Sequence, residues 1–289
     1  MAGEPRLNRR RALLGLTTGL AGALLQGSIA RAAAPGLTLS GKFVQGGFVV
    51  GRTAPRAQVL LNGEPATQAS AAGWFVIGFD RDAPPPALTT VETADGAASH
   101  QATIAPGDFD IQRIDGLAGD QVSPSDPALL TRIAAENARK GAGFASRIDG
   151  DFFRTGFIMP LQAIRRSARF GGQRILNGEA KRPHYGVDFA APVGAPVVAP
   201  AAGVVSFAET GLHYEGGLIL IDHGQGLITA YLHLSRVDVT AGQTLAQGQL
   251  IGAVGKEGRA TGPHLCWRMR WHGQNLDPSL MIGPAPPRV

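Results

Sequence analysis

The chain has 289 residues, of which 44% are hydrophobic and 17% charged, with a single cysteine and a formal net charge of +5. One cysteine excludes any disulfide within the chain, so stability has to come from packed cores, which this length can build in two domains. Arg6, Arg9, Arg10, Arg11 and Arg31 against Glu4 account for four of the five net charges, so the rest of the chain is close to neutral. No Lys/Arg stripe interleaved with aromatics follows, and nucleic acid is excluded as a partner.

Residues 1–32 read as a signal peptide. Arg9, Arg10 and Arg11 precede an apolar run from Ala12 to Ile29, and Ala30-Arg31-Ala32 offers a small-residue cleavage site. Asn8-Arg-Arg-Arg-Ala-Leu13 points to the twin-arginine route, with an ordinary basic leader as the alternative. The run is broken by Gly, Thr and Gln, so no stable membrane span is expected once the leader is removed, and the expected destination is the periplasm.

From residue 35 to 106 short β-runs alternate with turn residues: Gly41–Gly46, Phe48–Val50, Gln58–Leu61, the Asn62-Gly63 turn, Gly73–Ile77, and Leu88–Val91 before Asp95-Gly96. They predict an Ig-like β-sandwich without the cysteine pair of antibody domains. Residues 107–156 form a connector with one helix. Ser125 or Asp126 is its N-cap, Pro127 its first residue, and Leu129, Leu130, Ile133 and Ala134 its apolar face, with a stop at Gly141 after Lys140.

Residues 157–283 make a second domain with no helical periodicity. Strands are predicted at Val187–Ala190, Pro196–Val198, Gly203–Ala208, Leu218–Asp222, Leu227–Leu234, Leu250–Val254 and Leu265–Trp271. The chemistry-bearing residues sit in three short pieces: His184-Tyr-Gly-Val-Asp188, Tyr231-Leu-His233 and His264-Leu-Cys266. In extended chain, residues two or four apart share a face, so the three pieces can aim their polar groups into one groove. Imidazole, carboxylate and thiolate are ligand types that zinc accepts. A catalytic zinc uses three of them and keeps a fourth position open.

Cys266, Arg268 and Arg270 share the face opposite Leu265, Trp267, Met269 and Trp271, which favours a ligand role for the cysteine over a structural one. His100, His213, His223 and His272 read as ordinary turn or loop histidines, with His213-Tyr-Glu215 at the groove rim. Asp222 reads as a turn support. Tyr231 either orients His233 through its hydroxyl or packs, and Arg165, Arg166, Arg169 and Arg174 read as a solvated basic face.

Pro183-His-Tyr-Gly-Val-Asp-Phe-Ala190, Gly194-Ala-Pro-Val197, Tyr231-Leu-His-Leu234 and Thr261-Gly-Pro-His-Leu265, in this order, resemble the LytM/lysostaphin-type zinc metallopeptidases over roughly Phe157 to Met281. The resemblance implies an antiparallel, barrel-like β domain holding one zinc ion, with His184 and Asp188 as metal ligands and His233 and His264 as catalytic histidines. Cys266 stands where the family has its third-ligand histidine. The activity implied is an exported endopeptidase that cuts peptidoglycan stem or cross-link peptides. Two alternatives remain: a degenerate relative that activates cell-wall amidases or works with division proteins without hydrolysing, and a wall-binding module.

Overall fold

The computed structural model describes residues 36–84, 87–162 and 165–282; the leader expected over residues 1–32 lies outside them. The first strands are β1 (Thr38–Gly41), β2 (Phe48–Arg52), β3 (Gln58–Leu61), β4 (Glu64–Gln68), β5 (Trp74–Gly78), β6 (Ala87–Thr93) and β7 (Ser99–Ile104). They pair as two antiparallel sheets, β1-β2-β5 and β4-β3-β6-β7. Asn62 and Gly63 take left-handed backbone at φ 55° and 83°, a conformation these two residue types tolerate, and so close the hairpin between β3 and β4. The strand expected over Gly41–Gly46 ends at Gly41, and Gly46 turns the chain at φ 77°. Val59 and Val91 from one sheet and Phe75 and Ile77 from the other are fully buried.

The connector holds more structure than its sequence advertises. Besides the short α1 (Gly119–Val122) it contains β8 (Ile111–Ile114), four residues without a clear alternation. Its helix α2 (Pro127–Phe144) starts as expected, with the Asp126 carboxylate accepting from the amides of Ala128 and Leu129. It does not stop at Gly141. Gly143 is pressed against Phe207 and Leu220, where a Cβ would come within 2.8 and 2.9 Å, so tertiary packing carries the helix to Phe144. Ile133, Glu136, Lys140 and Gly143 are the buried positions, at helical spacing.

The remaining strands are β9 (Arg165–Ala168), β10 (Gln173–Leu176), β11 (Glu179–Ala180), β12 (Val187–Ala190), β13 (Pro196–Val198), β14 (Gly203–Leu212), β15 (Gly216–Asp222), β16 (Leu227–Val237), β17 (Thr244–Leu245), β18 (Leu250–Val254), β19 (His264–Trp271) and β20 (Gln274–Leu276). Every strand expected in this region is present. The unexpected ones are two to four residues long, too short to show a pattern. The main sheet runs β17-β14-β15-β16-β19-β12-β9, with β18 joining β13 to β16 and β20 on β19. It does not close into the expected barrel: β17 and β9 each keep a single partner and form its two open edges. A smaller sheet, β11-β10-β8, brings the connector strand in parallel beside β10.

Alternation in β19 then divides the core. Leu265, Trp267, Met269 and Trp271 enter the large apolar cluster that also contains Phe75 and Ile77 of the amino-terminal sheet. On the opposite face Cys266 joins Phe207, Leu218, Leu220, Ile228, Ala230 and Leu232, with Phe144 of α2 against them. Among the described residues no helix is long and apolar enough to cross a membrane.

Candidate metal centre

The antiparallel register of β12 and β19 sets Asp188 directly opposite Cys266. His184 precedes β12 and is anchored by its own backbone, which donates to Gly172 O and accepts from Gly171 N. Between them Gly186 has to be glycine. A Cβ there would lie 3.0 Å from Cys266 Sγ and 2.8 Å from Arg268 Cγ. As a result His184 Nε2 lies 3.0 Å from Asp188 Oδ1 and 3.4 Å from Cys266 Sγ, and the three donor atoms all fall within 4.8 Å of one another. All three residues are buried.

His264 and His233 flank this group. His264 Nε2 is 3.8 Å from Asp188 Oδ1, and the two imidazole centroids are 4.7 Å apart. His233 Nδ1 lies 2.7 Å from Glu257 O and His264 Nδ1 lies 2.8 Å from Gly262 O. A carbonyl can only accept, so both Nδ1 atoms donate, and in a ring carrying a single proton Nε2 is then the acceptor.

Burial and charge prepare the group for a cation. Burial pushes His184 down to about 4 and His233 to about 3, so both are neutral near pH 7. At Asp188 burial acts upward, but His184, His264 and Arg174 outweigh it and hold the carboxyl below its usual range. Burial and the Asp188 charge push Cys266 up to about 12, so without a metal it is a thiol. Asp188 Oδ1 is buried with no aligned hydrogen bond, its near neighbour being His184 Nε2 at 3.0 Å. A buried, orphaned carboxylate oxygen beside a neutral imidazole and a sulfur is a donor set that fits a divalent metal, and the imidazole–sulfur combination suits zinc.

His184, Asp188, His233, His264 and Cys266 therefore meet in one place, while His100, His213, His223 and His272 do not. His223 is fully buried, bonded to Ala202 O and Thr229 Oγ1, and Asp222 receives the amides of Gly224 and Ile148 as a turn support. Among the described residues Tyr231 and His233 share no hydrogen bond. The Tyr231 hydroxyl bonds Thr229 Oγ1, on the opposite face, because the ladder shifts register after Tyr231 and His233 takes left-handed backbone at φ 66°.

Arg174 is a correction. Unlike the exposed Arg165, Arg166 and Arg169, it turns inward, its guanidinium 3.9 Å from Asp188 Oδ2. Sequence spacing also gave no hint that Ile114 and Leu117 of the connector line the site beside Arg259 and Thr261. A larger cavity of about 570 Å³ continues from Asp188 and His264 between β8 and β9.

Residues 182–278 match peptidase family M23. This segment is an M23 domain. It contains all five residues of the cluster. The chain is 40% identical over 129 residues to the DD-carboxypeptidase/endopeptidase Mpg of Neisseria meningitidis, covering 45% of this chain and 30% of that protein. It is 42% identical over 116 residues to the peptidoglycan DD-endopeptidase ShyA of Vibrio cholerae, covering 39% and 26%. The chain thus spans less than a third of the length of these curated relatives. A solved structure from Pseudomonas aeruginosa assigned to peptidase M23 superposes with a TM-score of 0.64 at 29% identity, covering 84% of this chain and 96% of that one. The likeness therefore extends beyond the M23 domain to most of the described fold.

Proposed function

We propose that the M23 domain is a zinc metalloendopeptidase that hydrolyses peptide bonds in peptidoglycan stem or cross-link peptides. The observation that carries this reading is the meeting of His184 Nε2, Asp188 Oδ1 and Cys266 Sγ within 4.8 Å, flanked by two further imidazoles. The relatives named as a peptidoglycan DD-endopeptidase and a DD-carboxypeptidase/endopeptidase support the substrate class.

In this reading His184, Asp188 and Cys266 hold one zinc ion, which when bound supplies a Lewis acid for the scissile carbonyl and a water of lowered pKa. Arg174 steadies the Asp188 carboxylate from its second oxygen. His233 and His264, pinned at Nδ1 by carbonyls, take up and return protons at Nε2. The cavity between β8 and β9, lined by Asp188 and His264, receives the peptide and sets its bond beside those side chains.

The arginine-rich leader supports export to the periplasm, where peptidoglycan lies. The two amino-terminal sheets, with valines and phenylalanine between them, support an Ig-like sandwich over residues 35–106 that braces the M23 domain through Gly78, Trp271 and Leu276. A regulator that activates amidases needs no metal, and the convergence of three donor atoms favours hydrolysis over it.

The test is metal analysis of protein purified under reducing conditions, paired with peptide release from purified sacculi. About one zinc per chain and peptide release, both lost in Asp188→Ala, are expected. Sacculus binding without release, in a protein free of zinc, would reject the reading.

A further inference from the structure

Past Cys266, the site face of β19 continues to Arg268 and Arg270. Both line a cavity of about 260 Å³ under α2 that shares no lining residue with the cavities at the metal centre. Four cations line it, Lys140, Arg182, Arg268 and Arg270, against one carboxylate, Glu215. That carboxylate is already taken, because Lys140 Nζ lies 2.6 Å from Glu215 Oε2 and both side chains are largely buried.

The three guanidinium groups have few hydrogen-bond acceptors of their own, although at Arg268 burial acts downward and Cys266, Glu215 and Asp188 outweigh it to raise the pKa. Arg268 makes one hydrogen bond, from Nε to Cys266 Sγ, and its Nη atoms have no acceptor among the described residues. Arg270 donates from Nε to Asn275 Oδ1 and lies over the Phe144 ring at 4.7 Å, again with no acceptor for its Nη atoms. Arg182 is exposed at the mouth of the cavity, with no protein hydrogen bond or ion pair seen for it among the described residues. Asp80 acts on Arg270 at longer range, but its oxygens accept from the amides of Asn275 and Asp82. Burial, with Arg268 and Arg182 nearby, pushes the Arg270 guanidinium pKa down. Like charges gathered in a partly enclosed space with unmet planar donors are stabilised by an anion that several of them can grip at once.

We propose that this cavity is a second binding site, for a compact oxyanion, either a carboxylate or a phosphate. It lies along β19 beyond the metal ligand and is built from α2, the loop before β12, and β19. Its assignment does not depend on the metal reading, because Arg182 and Arg270 belong to neither the donor set nor the catalytic histidines.

Calorimetric titration of the full chain at low ionic strength with sodium phosphate and with sodium succinate tests it. Saturable binding of at least one of the two is expected, and the one that binds assigns the chemistry. Arg182→Gln, at an exposed position, and Arg182→Gln/Arg270→Gln should weaken binding, the double variant by about tenfold or more. Arg236→Gln, which breaks a surface pair with Asp238, should leave it unchanged. Asp188→Ala should also retain anion binding. No binding by the unaltered chain, equal binding in the double variant, or loss confined to Asp188→Ala would overturn the proposal, the last by placing the anion at the metal centre.

Discussion

Strands β16 and β19 lie side by side, and each delivers one of the two flanking histidines, but by different means. In β19 the regular period of two does the work: His264, Cys266, Arg268 and Arg270 fall on one face, and the tryptophans fall on the other. In β16 the same period would bury His233 with Tyr231. Instead a shift in register and a left-handed residue turn the imidazole over to the site, while Leu232 pairs across from Cys266. A candidate metal donor can thus be read from alternation, whereas a flanking imidazole can depend on a backbone irregularity.

The largest effects should come from the regular strand. Cys266→Ser should lose most of its zinc and Cys266→His should keep it, as measured by metal analysis after dialysis, and equal zinc in all three proteins would remove the sulfur from the donor set. Because Cys266 is a thiol in the metal-free chain, zinc uptake near pH 7 should release about one proton, and Cys266→His should release close to none. Titration in buffers of different ionisation enthalpy reads the difference.

Next come the two flanking imidazoles. His233→Gln and His264→Gln should each lower peptide release by roughly 10²- to 10⁴-fold while leaving zinc bound. A drop in one variant alone would break the symmetry drawn between the two strands.

Acidification acts on both regions together. Unfolded imidazoles protonate near 6.5, whereas burial holds His184 and His223 to about 4 and His233 to about 3 in the metal-free fold. Between those values the unfolded state binds more protons, so stability should fall as pH drops from about 6.5 towards 4, and it should be fully present above 6.5. Thermal melts of the metal-free protein across this range check the sign.

The smallest effect is also the most specific to the contrast. At position 233 Asn should be more stable than Val by roughly 1–2 kcal/mol, because a β-branched residue is strained in left-handed backbone. At position 266, a regular strand site among apolar neighbours, Val should be the more stable of the two. Denaturant melts that rank the pairs alike would mean that the two strands do not differ in this way.

Much of the site was legible because it rests on local rules. The two-residue step from His264 to Cys266 obeys strand geometry, whereas His184 lies before β12 and reaches Asp188 through its backbone bonds to Gly171 and Gly172; the Asn62-Gly63 hairpin and the Asp126-Pro127 helix start are signals of adjacent residues. What escaped was non-local. Arg174 sat in a run of arginines, and nothing in that run distinguishes the one that turns inward. Gly141 looked like a helix stop, yet contacts of Gly143 with β14 and β15 carried the helix on. Strand β8 pairs with residues some sixty positions later, and Leu117 just beyond it is held at the site by two hydrogen bonds with the Asn177 side chain. The open edges at β17 and β9 are likewise a property of the whole sheet.

That parallel pairing of β8 with β10 has a practical side. A fragment trimmed to residues 182–278 would keep His184, Asp188 and Cys266 but lose β8, β9 and β10. One wall of the long cavity and the Arg174 contact to Asp188 would go with them. A unit that keeps both walls of that cavity is therefore longer than the family match at residues 182–278.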